Sequence, residues 1–311
     1  MRTFTAEDIQ RIEMTTAVSL MRDAFAMLSS GQVVVPLRTV QETQDQKGMA
    51  LFMPSYSPAW KLFGLKMVTV FPNNVPPAPM IQGVMLLMDA ERGTPLASMD
   101  AAAITALRTG AASGLASELL SRTESETLAL FGTGAQAWTQ VAGVLAVRKI
   151  QEVMVKGTSR EKEEAFCKRV RDEYQISCRP LRDLSELSQA DVICTATGSH
   201  QPLFHLKHLN PGVHINAIGA YKPHMRELSE DIIVQCKLIV DQRAAVLHEA
   251  GEVVIPLKEG RLTPSVIYAE LGEVVAGKAG RASSDEITVF KSVGNAIQDL
   301  AVARFLINQQ A

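Results

Sequence analysis

Gly132 and Gly134 stand one residue apart in the stretch TLALFGTGAQA, residues 127–137, and Ala137 follows three positions after the second glycine. This G-x-G-x-x-A spacing suits the grip of a pyrophosphate. The first glycine permits a tight turn, the second lets backbone amides approach the phosphates, and the small third residue lets the following helix pack on the strand. The anion then faces the positive end of the helix. Leu128, Ala129, Leu130 and Phe131 form the short apolar run of a buried parallel strand. Residues 135–148 place Ala137, Val141, Val144, Leu145 and Arg148 at helical spacing, and a second apolar run starts at Val153. Strand, glycine turn, helix and strand make a βαβ unit. Gly132, Gly134, Ala135 and Gln136 are therefore expected to bind a dinucleotide.

The end of the second strand selects the dinucleotide. An acidic residue there accepts hydrogen bonds from the ribose hydroxyls and repels a 2′-phosphate. Here the chain reads VKGTSR, residues 155–160. The Thr158 and Ser159 hydroxyls, the forked Arg160 guanidinium and the Lys156 ammonium suit a phosphate, so NADPH is the expected cofactor. NADH is the alternative if Arg160 stacks on the adenine and Glu161 serves the ribose.

Around this unit the pattern alternates in the manner of a doubly wound α/β fold. Helix 161–174, strand 176–181, a short helix at 184–189, strand 191–197, a loop and strand 213–220 follow in turn, with a further strand at 238–242 and helix or loop to about residue 280. Residues 285–310 begin as a strand and end as an amphipathic helix. The N-terminal region is different. Residues 5–30 read as one helix capped by Thr5 and Asp8, with a stripe through Ile12, Ala17, Leu20, Ala24 and Leu28, and Gly31 stopping it. Four strands are expected at 33–40, 50–57, 61–71 and 83–90. The alanine-rich segment 100–121 reads as two helices, or one kinked at Gly110 and Gly114.

A chain of 311 residues, 47% hydrophobic, has length for two domains. Its net charge of −2 and lack of a basic block give no reason to expect nucleic acid or an anionic membrane as partner. Neither a signal-type segment nor a long apolar run is visible, and a cytoplasmic location is expected. Cys167, Cys178, Cys194 and Cys236 show no CxxC pair and read as isolated reduced thiols. Of the histidines between 200 and 224, only His205 and His208 share a helical spacing and no acid completes a ligand set, so no metal is expected; solvated or capping roles fit them better.

Five segments together resemble the ornithine cyclodeaminase/μ-crystallin family: LRTGAASGLASELLSR, LFGTGAQA, DVICTATGSHQPLF, HINAIGAYKPHMREL and FKSVGNAIQDLA. The resemblance spans nearly the whole chain. It implies a homodimer, with an α+β substrate and dimerisation domain from 1–118 and 294–311 and a Rossmann domain over 119–293. It further implies that Arg38, Lys66 and Arg108 surround a substrate carboxylate, that Thr109 and Gly110 touch the cofactor phosphates, and that Thr195, Ala196, Thr197, Gly219 and Ser292 line the rest of the cofactor. Physical chemistry agrees for the cations. Each lies in or beside an apolar element, where a charge is costly unless an anion meets it. The Lys66 ammonium can also give a proton or polarise a C=N bond, which makes it the expected catalytic residue.

One position departs from the family. Cyclodeaminating members carry glycine-aspartate where this chain has Ala220-Tyr221, so the acid that would activate an ornithine amine is absent, unless a water or Glu227 substitutes. The form GAYKPHMREL is more similar to ketimine reductase members. The resemblance therefore implies NAD(P)H-dependent reduction of a cyclic ketimine carboxylate, Δ1-pyrroline-2-carboxylate to L-proline, with the six-membered analogue giving L-pipecolate. Ornithine cyclodeaminase with bound NAD+, an amino-acid dehydrogenase such as alanine dehydrogenase, and a non-catalytic NADPH-binding crystallin-like protein stay as alternatives.

Overall fold

Alternation of inward and outward side chains along three long strands shapes the first part of the molecule. In the computed structural model, which describes residues 1–45, 47–75 and 77–309, the chain divides into Met1–Arg108 with Asn295–Ala311, and Thr109–Gly294. The first unit holds β1 (Arg2–Phe4), α1 (Ala6–Gln10), α2 (Met14–Ser29), β2 (Thr39–Glu42), β3 (Met49–Ser57), β4 (Leu62–Val70), β5 (Ile81–Asp89) and β6 (Pro95–Asp100). Among the described residues these strands form one sheet of order β1-β6-β5-β4-β3-β2. Leu51, Met53, Lys66, Met85 and Leu87 are buried on its inner face. That face is covered by the last helix, α10 (Ala296–Gln309), which packs on β3, β4 and β5 and also against α2. On the outer face, Phe52, Pro54 and Tyr56 sit opposite Met67, Leu65 and Phe63, and these in turn sit opposite Val84, Leu86 and Met88. Nine apolar or aromatic side chains thus form a partly exposed sheet face.

Several expectations for this region need correction. The helix expected over 5–30 is two helices. Thr5 and Asp8 do form a capping box, but Glu13 is extended and starts α2 afresh, so that Ile9 and Ile12 can both reach the core. Only Thr39 and Val40 of the strand expected at 33–40 lie in β2, because Pro36 has no N–H for a ladder and Val34 makes only an isolated bridge to Tyr56. β1 and β6 were not expected. The three residues of β1 are too short to show a period, and β6 runs straight into the alanine segment. α10 is not amphipathic, since Ala296–Ala303 are buried on all sides between the sheet and α2. Gln310 and Ala311 of the expected C-terminal segment lie outside the described residues.

α3 (Ala101–Leu120) is a single helix, and the division between units falls inside it, ten residues before the expected boundary. Gly110 serves a close contact within it. A Cβ on Gly110 would lie 2.2 Å from the Thr139 carbonyl oxygen, so the glycine lets α3 touch α4 (Ala135–Leu145) backbone to backbone.

The second unit continues with β7 (Thr127–Phe131), β8 (Glu152–Lys156), α5 (Arg160–Tyr174), β9 (Ser177–Pro180), β10 (Val192–Thr195), β11 (His214–Ala217), α6 (Glu230–Gln235), β12 (Lys237–Val240), α7 (Arg243–Glu249), α8 (Gly251–Lys258), β13 (Ile267–Glu270), α9 (Leu271–Val275) and β14 (Thr288–Lys291). Its sheet has the order β13-β12-β14-β11-β10-β7-β8-β9, every pair parallel, with an apolar core on each face. This is the doubly wound Rossmann arrangement. β13 falls in a stretch expected to be helix or loop, its four residues being too few to announce a strand. Among the described residues no helix is long and apolar enough to cross a membrane.

All four cysteines are free thiols, and Cys167 of α5 and Cys178 of β9 fall in the same apolar core. His214 is neither solvated nor capping. It is fully buried in β11, with Nδ1 3.0 Å from Thr288 Oγ1 and Nε2 3.2 Å from Asn216 Oδ1, and burial pulls its pKa from 6.5 to about 3. The unfolded chain therefore binds a proton between these values that the folded chain refuses. Stability should fall as pH drops from 6.5 toward 3, by up to about 1.4 kcal/mol per pH unit. Urea melts at neutral and acid pH should show this slope, and His214→Gln should flatten it.

Candidate active site

Lys66 sits at the middle of β4 on the inner face of the first unit's sheet, 1% exposed beneath α10. A buried ammonium needs a counter-charge, and α10 supplies one. Lys66 Nζ lies 2.8 Å from each oxygen of Asp299 and donates to Thr105 Oγ1 at 3.2 Å. Arg108 joins the same carboxylate, its Nε 3.4 Å from Asp299 Oδ1, while its Nη1 donates to Gln298 Oε1 at 2.9 Å. Burial pulls the Lys66 pKa from 10.5 down to about 7; Asp299 opposes that fall, and the nearby Arg108 and Arg38 guanidinium groups add to it. The two arginines expected with Lys66 around a carboxylate are thus both within electrostatic reach of its ammonium. A site that gathers like charges gains by receiving an anion. The residues not foreseen are Asp299 and Gln298; their only signal was two polar side chains in the otherwise apolar run AIQDLAVARFLI.

The glycine turn of the second unit has the shape the motif requires. Gly132 adopts φ +113°, closed to other residues, and a Cβ there would strike the Ala196 carbonyl oxygen at 2.6 Å. Gly134 precedes α4 with no side-chain cap, and a Cβ on it would meet nothing within 4 Å. Space is therefore open beside Gly134 at the start of α4, where the motif would seat a pyrophosphate next to Ala135 and Gln136. Gly110 is turned to Thr139, so its missing side chain answers α4; Thr109 beside it is buried.

Past β8, Lys156, Gly157, Thr158, Ser159, Arg160, Glu163, Leu181 and Arg182 line a hollow of about 460 Å³. Arg182 was not foreseen. An acid does reach this hollow, contrary to the reading of the strand end alone. Glu163, from the first turn of α5, accepts from the Gly157 N–H at 3.0 Å and lies 3.6 Å from Lys156 Nζ, so its carboxylate is already engaged. Arg160 bonds Glu164 at 2.7 Å from an exposed position.

At the carboxyl ends of the strands two buried acids fasten the loops. Glu227 Oε1 accepts from Thr197 N (2.6 Å) and Thr197 Oγ1 (2.7 Å), and Oε2 from Thr195 Oγ1 (2.8 Å), Gly219 N (2.7 Å) and Ala220 N (3.3 Å). The hydroxyls of Thr195 and Thr197 are thus turned to Glu227, and the backbone is held as well, with Ala196 N donating to Phe131 O at 2.8 Å and Thr195 O accepting from Ile218 N. Glu227 is fully buried with both oxygens engaged, which removes it as a substitute base for the missing aspartate. Asp241 holds the next loop in the same way, accepting from Ser292 Oγ at 2.8 Å, Val293 N at 3.0 Å and Gly294 N at 2.6 Å. Glu227 lies close in sequence to one of its loops but 30 residues or more from the other, Asp241 lies more than 50 from its own, and neither was foreseen as an anchor.

A parallel Rossmann sheet with this glycine turn in one unit, and a buried lysine–arginine–carboxylate cluster in the other, define a nicotinamide-dependent enzyme of the ornithine cyclodeaminase/mu-crystallin type. The profile of the ornithine cyclodeaminase/mu-crystallin family matches residues 3–311, and the chain belongs to that family. It is 38% identical over 304 residues to a Δ1-pyrroline-2-carboxylate reductase of Bacillus cereus, covering 96% of this chain and 93% of that one. It is 36% identical over 283 residues to the ketimine reductase mu-crystallin of Mus musculus, covering 91% and 87%. The fold superposes with TM-score 0.95 on Thermococcus litoralis Δ1-pyrroline-2-carboxylate reductase in complex with NADH and L-proline, at 35% identity and 99% and 97% coverage.

Proposed function

We propose that this protein reduces Δ1-pyrroline-2-carboxylate to L-proline, with Lys66 as catalytic residue and Arg38 and Arg108 holding the substrate carboxylate. The observation that carries this reading is the buried Lys66–Asp299–Arg108 cluster, in a chain alike over nearly its full length to reductases named for this substrate. When bound, the dihydronicotinamide supplies a hydride to the imine carbon. The chain's part is electrostatic and positional. Arg108 and Arg38 orient the carboxylate. Lys66, whose ammonium and amine forms coexist near pH 7, keeps the imine nitrogen protonated and so electrophilic. No acid in the Ala220–Tyr221 position is needed, because no amine has to be activated. The reading is tested by following nicotinamide oxidation with Δ1-pyrroline-2-carboxylate, alongside ammonia release from ornithine with NAD+. Saturable oxidation without ammonia supports it; ammonia release without imine reduction overturns it.

NADPH is the cofactor this reading favours. Thr158, Ser159, Arg160 and Arg182 present hydroxyls and two cations to one hollow, while Glu163 is engaged with Gly157 and Lys156. Replacing Arg160 and Arg182 together by Ala should lower kcat/KM for NADPH roughly tenfold or more while NADH changes little, as expected for lost charge-assisted hydrogen bonds. The ratio of the two is the readout. A cytoplasmic location suits the free thiols. The homodimer would use the outer face of the first unit's sheet, since an apolar face built from β3, β4 and β5 is suited to sheet-on-sheet packing. Phe63→Glu with Leu65→Glu should yield a monomer by sedimentation.

A further inference from the structure

Asn295 immediately precedes α10, and its carboxamide is an anomaly. The residue is 3% exposed, yet neither Oδ1 nor Nδ2 has a hydrogen-bond partner among the described residues. A buried donor and acceptor both left unsatisfied is uncommon, and it points to a group that arrives from outside the chain. Asparagine at the start of a helix ordinarily turns back to cap it. Here only the reverse arm of a capping box is present, Gln298 Oε1 accepting the Asn295 N–H at 3.3 Å, while the Asn295 side chain makes no bond back to the helix. The same Gln298 oxygen takes Arg108 Nη1 at 2.9 Å, and its own Nε2 is left without a partner among the described residues. Asn295 is therefore the edge of a continuous chain of contacts running through Gln298, Arg108 and Asp299 to Lys66.

The two orphan atoms sit on one planar group, one an acceptor and one a donor. Together they ask for a ligand that offers a donor and an acceptor side by side. A protonated cyclic imine with a carboxylate on the adjacent carbon does so: its ring N–H can donate to Oδ1 while a carboxylate oxygen accepts from Nδ2, closing a two-bond ring. The corresponding 2-keto acid offers two acceptors, and one of them would face Oδ1 with no hydrogen between. We propose that Asn295 is the specificity-determining residue that selects nitrogen over oxygen at the reacting carbon, admitting cyclic 2-imino carboxylates and secondary α-amino acids and rejecting 2-keto acids. The inference rests on the imine-carboxylate reading of the Lys66 site.

Two planar acids of nearly the same shape test it. Pyrrole-2-carboxylate carries a ring N–H beside the carboxylate, and furan-2-carboxylate carries a ring oxygen in its place. Their affinities are measured by calorimetry on the protein saturated with NADP+, for wild type, Asn295→Ala and Asn295→Ser. Wild type should bind the pyrrole acid on the order of tenfold tighter or more. In both variants that ratio should fall to about one, since Ala carries no acceptor and the Ser hydroxyl, attached directly to Cβ, stops short of the Oδ1 position that reads the N–H. A merely structural role would weaken both acids together and leave the ratio unchanged, so a wild-type ratio retained in the variants overturns the proposal. Imine turnover on the same wild-type preparation separates two failures. A wild-type ratio near one with turnover present overturns the role of Asn295 alone; no turnover and no binding of either acid overturns the imine-carboxylate reading as well.

Discussion

Lys66→Met should bind NADPH as wild type does and turn over the imine at least about a thousandfold more slowly, within the range lost when a positioned acid and its charge are removed together. The variant also leaves Asp299 buried with Arg108 as its remaining partner in this cluster, at 3.4 Å, so it should lose stability, by about 3–5 kcal/mol if it behaves as a broken buried pair. A second change separates the two effects. Lys66→Met with Asp299→Leu should recover much of the melting temperature and none of the turnover. The pH profile gives an independent check. With the Lys66 pKa lowered from 10.5 to about 7, the ammonium is the acid form, so kcat/KM should decline as pH rises through about 7. Asp299→Asn removes the attraction that opposes the fall, and should move that decline to lower pH. A thousandfold-slower Lys66→Met whose decline stays at the wild-type pH would mean that another group sets the limb. Full turnover would remove Lys66 from the chemistry.

Glu227→Gln is the second large effect. The carboxylate receives five donors, three of them backbone N–H groups of two loops. A carboxamide has one acceptor oxygen, and its NH2 would be directed at a donor; one loop must lose its anchor. The loss should be about 1–3 kcal/mol of stability per unsatisfied buried group. Because residues 195–197 and 219–220 are the loops proposed to carry the cofactor's far end, NADPH affinity should weaken on the order of a hundredfold with the loss in KM, and kcat on saturating cofactor should suffer less. The thermal stability gained on adding NADPH, measured in both proteins, checks this. An unchanged gain would mean the clasp is structural only.

What was legible in the sequence was the chemistry that is local along the chain. Gly132, Gly134 and the apolar run before them are contiguous, and their backbone geometry follows from the glycines themselves. The same holds for Thr5 and Asp8, three residues apart. Lys66 was legible only through its family resemblance, since a single lysine in GLKMV carries no sign of burial. The outward row Phe63, Leu65 and Met67 masked the alternation by making both faces of β4 apolar. Asp299, Glu227 and Asp241 were illegible in their roles for a different reason: each partner lies on another element, and spacing along the chain says nothing about an acid whose contacts are made only when sheets and helices assemble. Arg182 and Glu163 likewise reach the hollow past β8 only through the folding of β9 and α5.

The counter-ion of Lys66 lies 233 residues downstream, on a helix made after the whole Rossmann unit. During synthesis the first unit's sheet exists for most of that time with a lysine on its inner face and no carboxylate or helix to cover it. Closing over the bare ammonium is costly, so the nascent sheet should stay open until α10 leaves the ribosome. A chain stopped short of Asp299 would then carry a folded dinucleotide unit attached to an unclosed one, which proteases and chaperones can recognise. In this protein the residue proposed to do the chemistry also makes closure of the sheet wait for α10.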